Sequence, residues 1–475
     1  MMKPLTLVMA LLGTGSAFAA APNFVFFITD DISPADLGIY GNRKVHTPNL
    51  DRIARKGLVF DNAYLTISSC SPSRCSIITG RYPHNTGAPE LHLPLPSGQR
   101  TFVQELREAG YHTLLSGKNH MAKPDQLGFA MASDSGPSGS ENWIRHLRER
   151  PKDQPFFFWF ASHDAHHPFQ QNAQAPIYDP ADVPVPPMLA DGPLTRRELA
   201  NYYHEVSRTD TYAGRIIDEL ERQGILDSTY FIYCSDNGRP FPRCKTYLYD
   251  SGIRTPLLVV GPRVATGRTK SLVSSIDFSA TILDLADIPI PETVQGASFR
   301  TTLSDPTYSH RDVAFAERNW HVFQLHERAV RSGKWLYIRN WWPARHNVSG
   351  ESASFRFGAV RELWELAAQG ELSPGQALLT VTPQPPELLF DVEADPFQMV
   401  NLAGETNHSD TLRRMRLLVE QWIEETGDSV PANPTPDRQP LHQSDQQAKI
   451  RRGDLPGADK GAERINRPGP IRTDH

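Results

Sequence analysis

The chain has 475 residues, of which 39% are apolar, so it can bury a large core and is longer than one compact domain usually is. Its formal net charge of −5 differs from the basic surface that nucleic-acid-binding proteins present to phosphates, which argues against nucleic acid as a partner. We therefore expect any anionic ligand to be bound by a local cluster of cationic side chains.

The N-terminus has the pattern of a secretory signal. Lys3 precedes the apolar run LTLVMALLGTGSAFA, and Ala17-Phe18-Ala19 has the small-x-small pattern of a signal peptidase site. The run is short and contains two glycines, which disfavours a membrane anchor, and no later stretch is apolar and long enough to span a bilayer. We predict a signal peptide over residues 1–19 and a periplasmic or secreted protein with no membrane partner.

Strands and helices are predicted to alternate over the first 310 residues. Thr47-Pro48 and Thr101 are typical helix starts, and Thr195 with Glu198 has the pattern of a capping box before a long amphipathic helix. A nearly continuous apolar run, typical of a strand buried on both faces, occupies 23–29, and further buried strands are predicted at 155–162, 229–235 and 255–261. The segment YHTLLSG over 111–117 is also strand-like. This alternation predicts an α/β fold with a large, mostly parallel sheet between layers of helices.

The pattern changes after about residue 310. Short antiparallel strands are predicted within 326–342 and 386–396, and a closing helix is predicted from residue 409. We therefore expect a catalytic domain over 20–310 and a smaller C-terminal subdomain of antiparallel sheet plus helix over 311–430. The tail over 431–475 is rich in Pro, Gly, Gln and mixed charge, and either wraps the surface or stays mobile.

Acidic and amide side chains follow two of the predicted strands directly. Asp30-Asp31 ends the first run, and Asp236-Asn237 ends the run over 229–235. Ligands of open α/β sheets collect at the carboxyl ends of strands, and these oxygen ligands suit a hard cation such as Ca²⁺ or Mg²⁺. The alternative for each pair alone is ordinary turn and cap chemistry.

Cationic candidates follow the same set of strands. A single Lys or His in a loop is usually a solvated surface residue, but several of them beside a carboxylate site predict a pocket for a tetrahedral anion. The candidates are Lys118, His120, His163, His166, His167 and Lys245.

The four cysteines need separate accounts. In an oxidising compartment an even number suggests disulfides, and Cys234 could pair with Cys244 or remain free. Cys70 instead begins the segment CSPSRCSIITGR, in which Pro72 and Arg74 follow at short offsets.

This segment resembles the sulfatase signature, Cys-x-Pro-Ser-Arg followed by Thr-Gly. The resemblance extends through GKNH, SHDAHHPF, SDNG, SSIDFSATILDLADI and ELLFDVEADPFQMVNLA, in the order expected of a sulfatase. Within the family, SSCSPSR, GKNH, HDAHH and SDNGRPFP are most similar to the heparan N-sulfatase (sulfamidase) branch. The sequence differs from that branch at Lys245, where an arginine is expected, and at Ala165, where a proline is usual. The fold implied is alkaline-phosphatase-like.

The resemblance implies that a formylglycine-generating enzyme oxidises Cys70 to formylglycine. The hydrated aldehyde carries two hydroxyls on one carbon: one attacks sulfur and releases the alcohol or amine, and the other then loses its proton and expels sulfate. The calcium ligands implied are the modified Cys70 with Asp30, Asp31, Asp236 and Asn237. We expect a helix after Cys70, whose N-terminal amides face the anion.

Further roles follow from the matching motifs. Arg74 is implied to hold the cation-binding geometry and the diol, and Lys118 and Lys245 to neutralise sulfate oxygens. His120 corresponds to the base that helps to regenerate the aldehyde. His166 is our candidate for protonating the leaving oxygen or nitrogen, with His163 or His167 as alternatives.

The expected substrate is a sulfated carbohydrate attacked at a chain end, with N-sulfoglucosamine as the first specific hypothesis. His321 and Arg328, just past the predicted domain boundary, are predicted to bind it. Two alternatives remain: a phosphodiesterase or phosphonate monoester hydrolase on the same fold, and a non-catalytic secreted glycan-binding protein. The presence of Cys70, Arg74 and every implied calcium ligand favours the enzyme.

Overall fold

The computed structural model of the protein describes residues 21–443 and 449–473. The predicted signal peptide lies outside these residues. Within them, no helix combines the length and apolar character needed to cross a membrane.

The described residues contain one large eight-stranded sheet, with the strand order β4-β3-β5-β1-β6-β7-β2-β8. Only β7 in this sheet is antiparallel to its neighbours, which confirms the prediction of a mostly parallel sheet. The strands are β1 (Asn23–Thr29), β2 (Leu58–Tyr64), β3 (His112–Gly117), β4 (Met131–Ser133), β5 (Phe156–Ala161), β6 (Thr229–Ser235), β7 (Leu257–Val260) and β8 (Gly267–Ser274). Strands β2, β4 and β8 were not predicted.

Helices cover both faces of this sheet. Alternate residues of β1 enter two separate cores, Val25 and Phe27 on one face and Phe24, Phe26 and Ile28 on the other. The helices over residues 48–304 are α1 (Pro48–Ala54), α2 (Cys70–Thr79), α3 (Pro83–Thr86), α4 (Phe102–Glu108), α5 (Trp143–Glu149), α6 (Pro193–Arg222), α7 (Asp250–Ile253), α8 (Asp277–Leu285) and α9 (Arg300–Ser304). Residues of α1, α5 and α6 belong to the first core, and residues of α2, α4 and α8 to the second.

The helix starts agree only in part with the predicted caps. Thr101 accepts a hydrogen bond from the Gln104 amide, as expected of a capping box. The predicted box at Thr195 and Glu198 is wrong, because α6 already begins at Pro193 and its first amides are bound by Glu362 from a distant helix.

A second, smaller sheet follows, and it confirms the predicted antiparallel sheet plus helix. Its strands are β9 (Val313–Arg318), β10 (Glu327–Ser332), β11 (Trp335–Asn340) and β12 (Glu387–Asp391), in the order β12-β11-β10-β9. The accompanying helices are α10 (Gly350–Ala353), α11 (Gly358–Gln369), α12 (Pro374–Ala377) and α13 (Ser409–Thr426). Met415, Val419 and Trp422 of α13 pack on this sheet. The exact domain boundaries stay predictions.

The described part of the tail lies against the body of the protein. Arg81 donates to the Asn466 side chain and to the carbonyls of Glu463 and Ile465. The Asp312 amide donates to the Ile471 carbonyl over 2.9 Å. Of the two alternatives for the tail, these contacts favour wrapping of the surface.

Candidate active site

The two acidic strand ends meet because β1 and β6 are parallel neighbours in register. Thr29 pairs with Ser235, so Asp30-Asp31 and Asp236-Asn237 leave the sheet side by side at its carboxyl edge. The Asp236 amide donates to the Thr29 carbonyl over 3.1 Å, and the Asp31 amide donates to Asp236 Oδ1 over 3.3 Å.

Four side chains from three parts of the chain converge at this edge. One ligand atom from each of Asp30, Asp31, Cys70 and Asp236 lies within 4.8 Å of the others, and all four residues are buried. Asn237 donates through Nδ2 to Asp31, while its buried Oδ1 has no hydrogen-bond partner among the described residues. A buried amide oxygen without a donor, beside three carboxylates, fits a site for a hard cation.

Three cations surround the carboxylates. Arg74 Nε donates to Asp236 over 2.8 Å, Lys245 Nζ lies 2.8 Å from Asp31, and Lys118 forms an ion pair with Asp30. Arg74 also donates to the Lys118 carbonyl over 3.1 Å, which joins the loop after β3 to α2.

The three carboxylates differ in the direction in which their surroundings shift the pKa. Burial opposes ionisation of Asp30, but Lys118 and the other cations outweigh it and hold the pKa of Asp30 well below its usual value. Burial raises the pKa of Asp31 and of Asp236 despite Lys245 and Arg74. Asp31 and Asp236 therefore remain harder to ionise than Asp30 in spite of their cationic partners, and a cation bound between the carboxylates would favour their ionised forms.

Cys70 is the first residue of α2, so the helix begins at the predicted nucleophile, not after it. Its Sγ lies 3.7 Å from Asp30 Oδ1. Burial raises the pKa of the Cys70 thiol far above its usual value, and Lys118 and Lys245 offset this only in part. An unmodified Cys70 is therefore a protonated thiol at neutral pH.

A cavity of about 800 Å³ opens beside this cluster. Asp30, Lys118, His120 and His166 line it, as do the alternative candidates His163 and His167. Lys245 is fully buried against Asp31. The structure thus brings the predicted anion-binding and metal-binding residues to one place.

The cavity histidines differ in their partners. His166 Nδ1 lies 2.5 Å from the His167 carbonyl oxygen, and His163 Nε2 lies 3.0 Å from Asp134. The charge of Lys245 and then burial lower the pKa of His166 to about 3, and burial and then Lys118 lower that of His120 to about 2. Both rings are therefore neutral at neutral pH in the absence of an anion.

Of the two residues predicted to bind substrate, His321 lies near Cys70, whereas Arg328 lies inside the smaller subdomain. His321 is buried, with its Nδ1 2.7 Å from the hydroxyl of Ser69, the residue before Cys70. Arg328 is fully buried, and its Nε and Nη2 lie 2.5 and 3.0 Å from the Asp428 carboxylate. The prediction that Arg328 binds substrate is wrong, because every residue of β10 is buried and this guanidinium is held inside the subdomain.

The cysteines other than Cys70 take no part in this arrangement. Cys75, Cys234 and Cys244 are buried free thiols, so no disulfide joins Cys234 to Cys244.

Several residues that line the cavity or contact its histidines were not predicted from the sequence. Arg208 of α6 donates two hydrogen bonds of 2.7 Å to the Asp164 carboxylate, and its guanidinium lies 3.1 Å from Glu205. Glu205 and Arg208 interrupt the apolar face of α6, and this interruption was the available signal. His92 had none, because it lies in a loop of ordinary turn composition, yet its Nδ1 is 2.7 Å from His120 Nε2.

Comparisons with known proteins identify the family of the chain. The family model "Sulfatase" matches residues 22–137 and 138–288, and the model "N-sulphoglucosamine sulphohydrolase, C-terminal" matches residues 243–341. An ulvan-active sulfatase of Formosa agariphila is 28% identical over 463 residues, covering 86% of this chain and 76% of that protein. The N-sulphoglucosamine sulphohydrolase of Homo sapiens is 33% identical over 322 residues, covering 59% of this chain and 64% of that protein.

Among solved structures, one described as a complex with its substrate D-glucosamine-2-N,6-O-disulfate superposes with a TM-score of 0.65. It has 19% sequence identity and covers 85% of this chain and 98% of that chain, which supports the common fold. The family model alone spans more than half of the sequence and includes Cys70, Arg74 and the whole acidic cluster. The chain therefore belongs to the sulfatase family, as a sulfatase enzyme.

Proposed function

We propose that this sulfatase hydrolyses sulfate esters or sulfamates of a sulfated carbohydrate, with a formylglycine made from Cys70 as the nucleophile and Ca²⁺ as the cofactor. The observation that carries the proposal is the convergence of Asp30, Asp31, Cys70 and Asp236 within 4.8 Å, beside a cavity that Asp30 lines. A formylglycine-generating enzyme is then a required partner during maturation.

The state of the Cys70 thiol supports the modification. A thiolate nucleophile requires a lowered pKa, whereas burial raises the pKa of Cys70. Formylglycine supplies hydroxyl nucleophiles at the same position and does not depend on thiol ionisation.

Asp30, Asp31, Asp236 and Asn237, with the modified Cys70, would hold the calcium ion. Bound Ca²⁺ would supply positive charge that lowers the pKa of a hydroxyl at position 70 and offsets the carboxylates. Arg74 fixes Asp236 through its 2.8 Å hydrogen bond and so maintains the shape of this site.

Lys118 and Lys245 bind the sulfate group and stabilise the charge that grows as the bond to sulfur breaks. Each lysine now contacts a carboxylate, Asp30 or Asp31. With a cation held by those carboxylates, both ion pairs would be weaker, and Lys118 and Lys245 could turn their ammonium groups to sulfate oxygens.

His166 donates the proton to the leaving oxygen or nitrogen, and His120 accepts the proton when sulfate is expelled. Lys245 is the main cause of the lowered pKa of His166, and a bound sulfate opposes it. Substrate binding therefore raises the pKa of His166 and favours its protonated form, which is the general acid that the reaction needs.

A sugar at a chain end is the proposed substrate, with an N-sulfoglucosamine linkage as its most specific form. The C-terminal match and the human relative support the N-sulfated form, and the cavity is large enough for a terminal sugar. His321 stays in the proposal as a substrate-side residue, because it contacts Ser69 beside Cys70. We also propose a periplasmic or secreted location.

The test is to produce the protein with and without a formylglycine-generating enzyme. Peptide mass spectrometry should find formylglycine at position 70 in the co-produced protein, with sulfate release from defined sulfated saccharides only in that sample. Cys70→Ala should abolish turnover, while Cys75→Ala, in the same helix but at a position that the signature does not specify, should retain it. Full activity with an unmodified Cys70 thiol would contradict the mechanism, and faster turnover of phosphate or phosphonate esters would favour that alternative.

A further inference from the structure

Two histidines from distant loops meet at the wall of the cavity. His92 lies between α3 and α4, and His120 follows β3. His92 Nδ1 and His120 Nε2 are 2.7 Å apart, and the ring centroids are 4.9 Å apart. At this distance one of the two nitrogens must carry a proton and donate it in a hydrogen bond to the other. The tautomer of each ring therefore depends on the tautomer of its partner.

The other nitrogen of His120 is free. His120 Nδ1 is buried and has no hydrogen-bond partner among the described residues. The charged groups that act on His120 are Lys118, Arg74 and Asp30, which are residues of the catalytic cluster. His120 therefore has one ring nitrogen without a partner, close to the charged residues of that cluster.

The backbone holds both rings in place. His92 (φ 64°) and His120 (φ 58°) occupy the left-handed region, which is unfavourable for residues with a side chain and often marks functional sites. The His92 amide donates to Ser71 Oγ over 2.8 Å, which ties its loop to the residue after Cys70. The preceding carbonyl, of Leu91, accepts from Arg452 over 2.7 Å.

We propose that His92 is a positioning residue that holds His120 with its proton on Nε2 and its Nδ1 as the free base. This inference rests on the proposed role of His120. A base must offer an unprotonated nitrogen, so Nε2–H has to donate to His92 Nδ1. The reverse direction would place the proton on Nδ1 and leave His120 unable to accept another.

The partner of His120 is a neutral imidazole and not a carboxylate, and this difference affects the charge state of His120. A carboxylate in the place of His92 would stabilise the imidazolium form of His120, whereas an imidazole stabilises the neutral ring. Burial, with Arg438, Arg452, Lys118 and Lys245, lowers the pKa of His92 itself. The pair therefore orients His120 without adding a further positive charge beside Lys118.

The first test does not depend on turnover. Side-chain ¹⁵N spectra of histidine-labelled protein, with His120 assigned from the His120→Gln variant, report which ring nitrogen carries the proton. We expect the Nε2–H tautomer in the wild type and a mixture of tautomers in His92→Leu. A proton on Nδ1 in the wild type, or a His120 spectrum that His92→Leu leaves unchanged, would overturn the inference.

The second test is a double-mutant cycle on the matured enzyme. His92→Leu should lower kcat roughly 10- to 100-fold with KM changed by less than about threefold, and His92→Asn, whose side-chain oxygen can accept the bond, should restore a large part of kcat. In a His120→Ala background, adding His92→Leu should change kcat less than about twofold, because His92 acts through His120.

The same loss from His92→Leu in both backgrounds, or no loss in either, would overturn the inference. Thermal unfolding of each variant identifies any that fails to fold, in which case His92→Asn and the spectra decide. A wild-type enzyme that shows the expected tautomer but releases no sulfate would contradict the proposed function and not this pairing.

Discussion

Arg328 and Asp428 form a fully buried ion pair that joins β10 to the segment just after α13. Burial would raise the pKa of Asp428, but Arg328 and His84 outweigh it and hold that pKa well below its usual value. A depressed carboxyl pKa contributes stability above the unfolded value of about 4, and this contribution is lost as pH falls through the folded value. The pair therefore stabilises the subdomain at neutral pH and weakens under strong acid.

Removing one partner should leave a buried, uncompensated charge. We expect Arg328→Met to lower the free energy of unfolding by about 3–5 kcal/mol, measured by urea denaturation. Arg339→Met is the matched control, because Arg339 on the neighbouring strand pairs with Glu420 at the surface and should cost at most about 1 kcal/mol. If Arg328→Met instead raised KM for a saccharide without loss of stability, the guanidinium would be a substrate ligand after all.

At the scale of elements, α6 and α11 cap each other. Glu362 of α11 accepts hydrogen bonds from the amides of Leu194 and Thr195, both 2.8 Å long. Glu198 of α6 accepts from the amides of Gly358 and Ala359, at 2.6 and 2.9 Å. Each helix thus satisfies the free N-terminal amides of the other and places a negative charge at its positive end.

This reciprocal cap links the large domain to the smaller one. We expect Glu362→Ala to destabilise the protein by about 1–2 kcal/mol, because it removes two cap bonds. Glu365→Ala, an exposed change on the same helix, should have little effect. Equal thermal unfolding midpoints for the two variants would show that the cap contributes nothing to stability.

At the scale of the whole molecule, the proposed calcium site joins β1, β6 and the start of α2. Removing Ca²⁺ with a chelator should lower both activity and the thermal unfolding midpoint, because three buried carboxylates then repel one another. Asp236→Ala should reproduce the effect on activity, and added Ca²⁺ should reverse the chelation. Activity that survives exhaustive chelation would mean that the carboxylates serve another purpose.

The tail contributes to the site from a distance of more than 300 residues along the chain. Arg452 lies 2.9 Å from Glu90, donates to the Leu91 carbonyl and lies over the Trp320 ring. We expect Arg452→Ala to cost about 1–3 kcal/mol of stability and to lower kcat, because the loop that carries His92 loses its anchor. Arg451→Ala, an exposed neighbour, is the control, and identical behaviour of the two variants would contradict this role.

Local patterns determined much of this protein. Apolar runs predict β1, β5, β6 and β7, since strands buried on both faces need apolar side chains on both. Parallel strands end at one edge, so Asp30 and Asp236 could be assigned to one site before any contact was known. The Cys70 segment supplied the family, because its chemistry lies within a few neighbouring residues.

Tertiary structure alone decided the rest. The burial of Arg328, the exchange of caps by Glu198 and Glu362, and the contact of His92 with His120 all join residues far apart in the chain. Local propensity and periodicity carry no information about such partners, because the free energy of each contact depends on the neighbour that the fold supplies. The sequence by itself determined which side chains this sulfatase brings to its strand ends, whereas only the packed chain decided which charged groups line the cavity and which hold the molecule together.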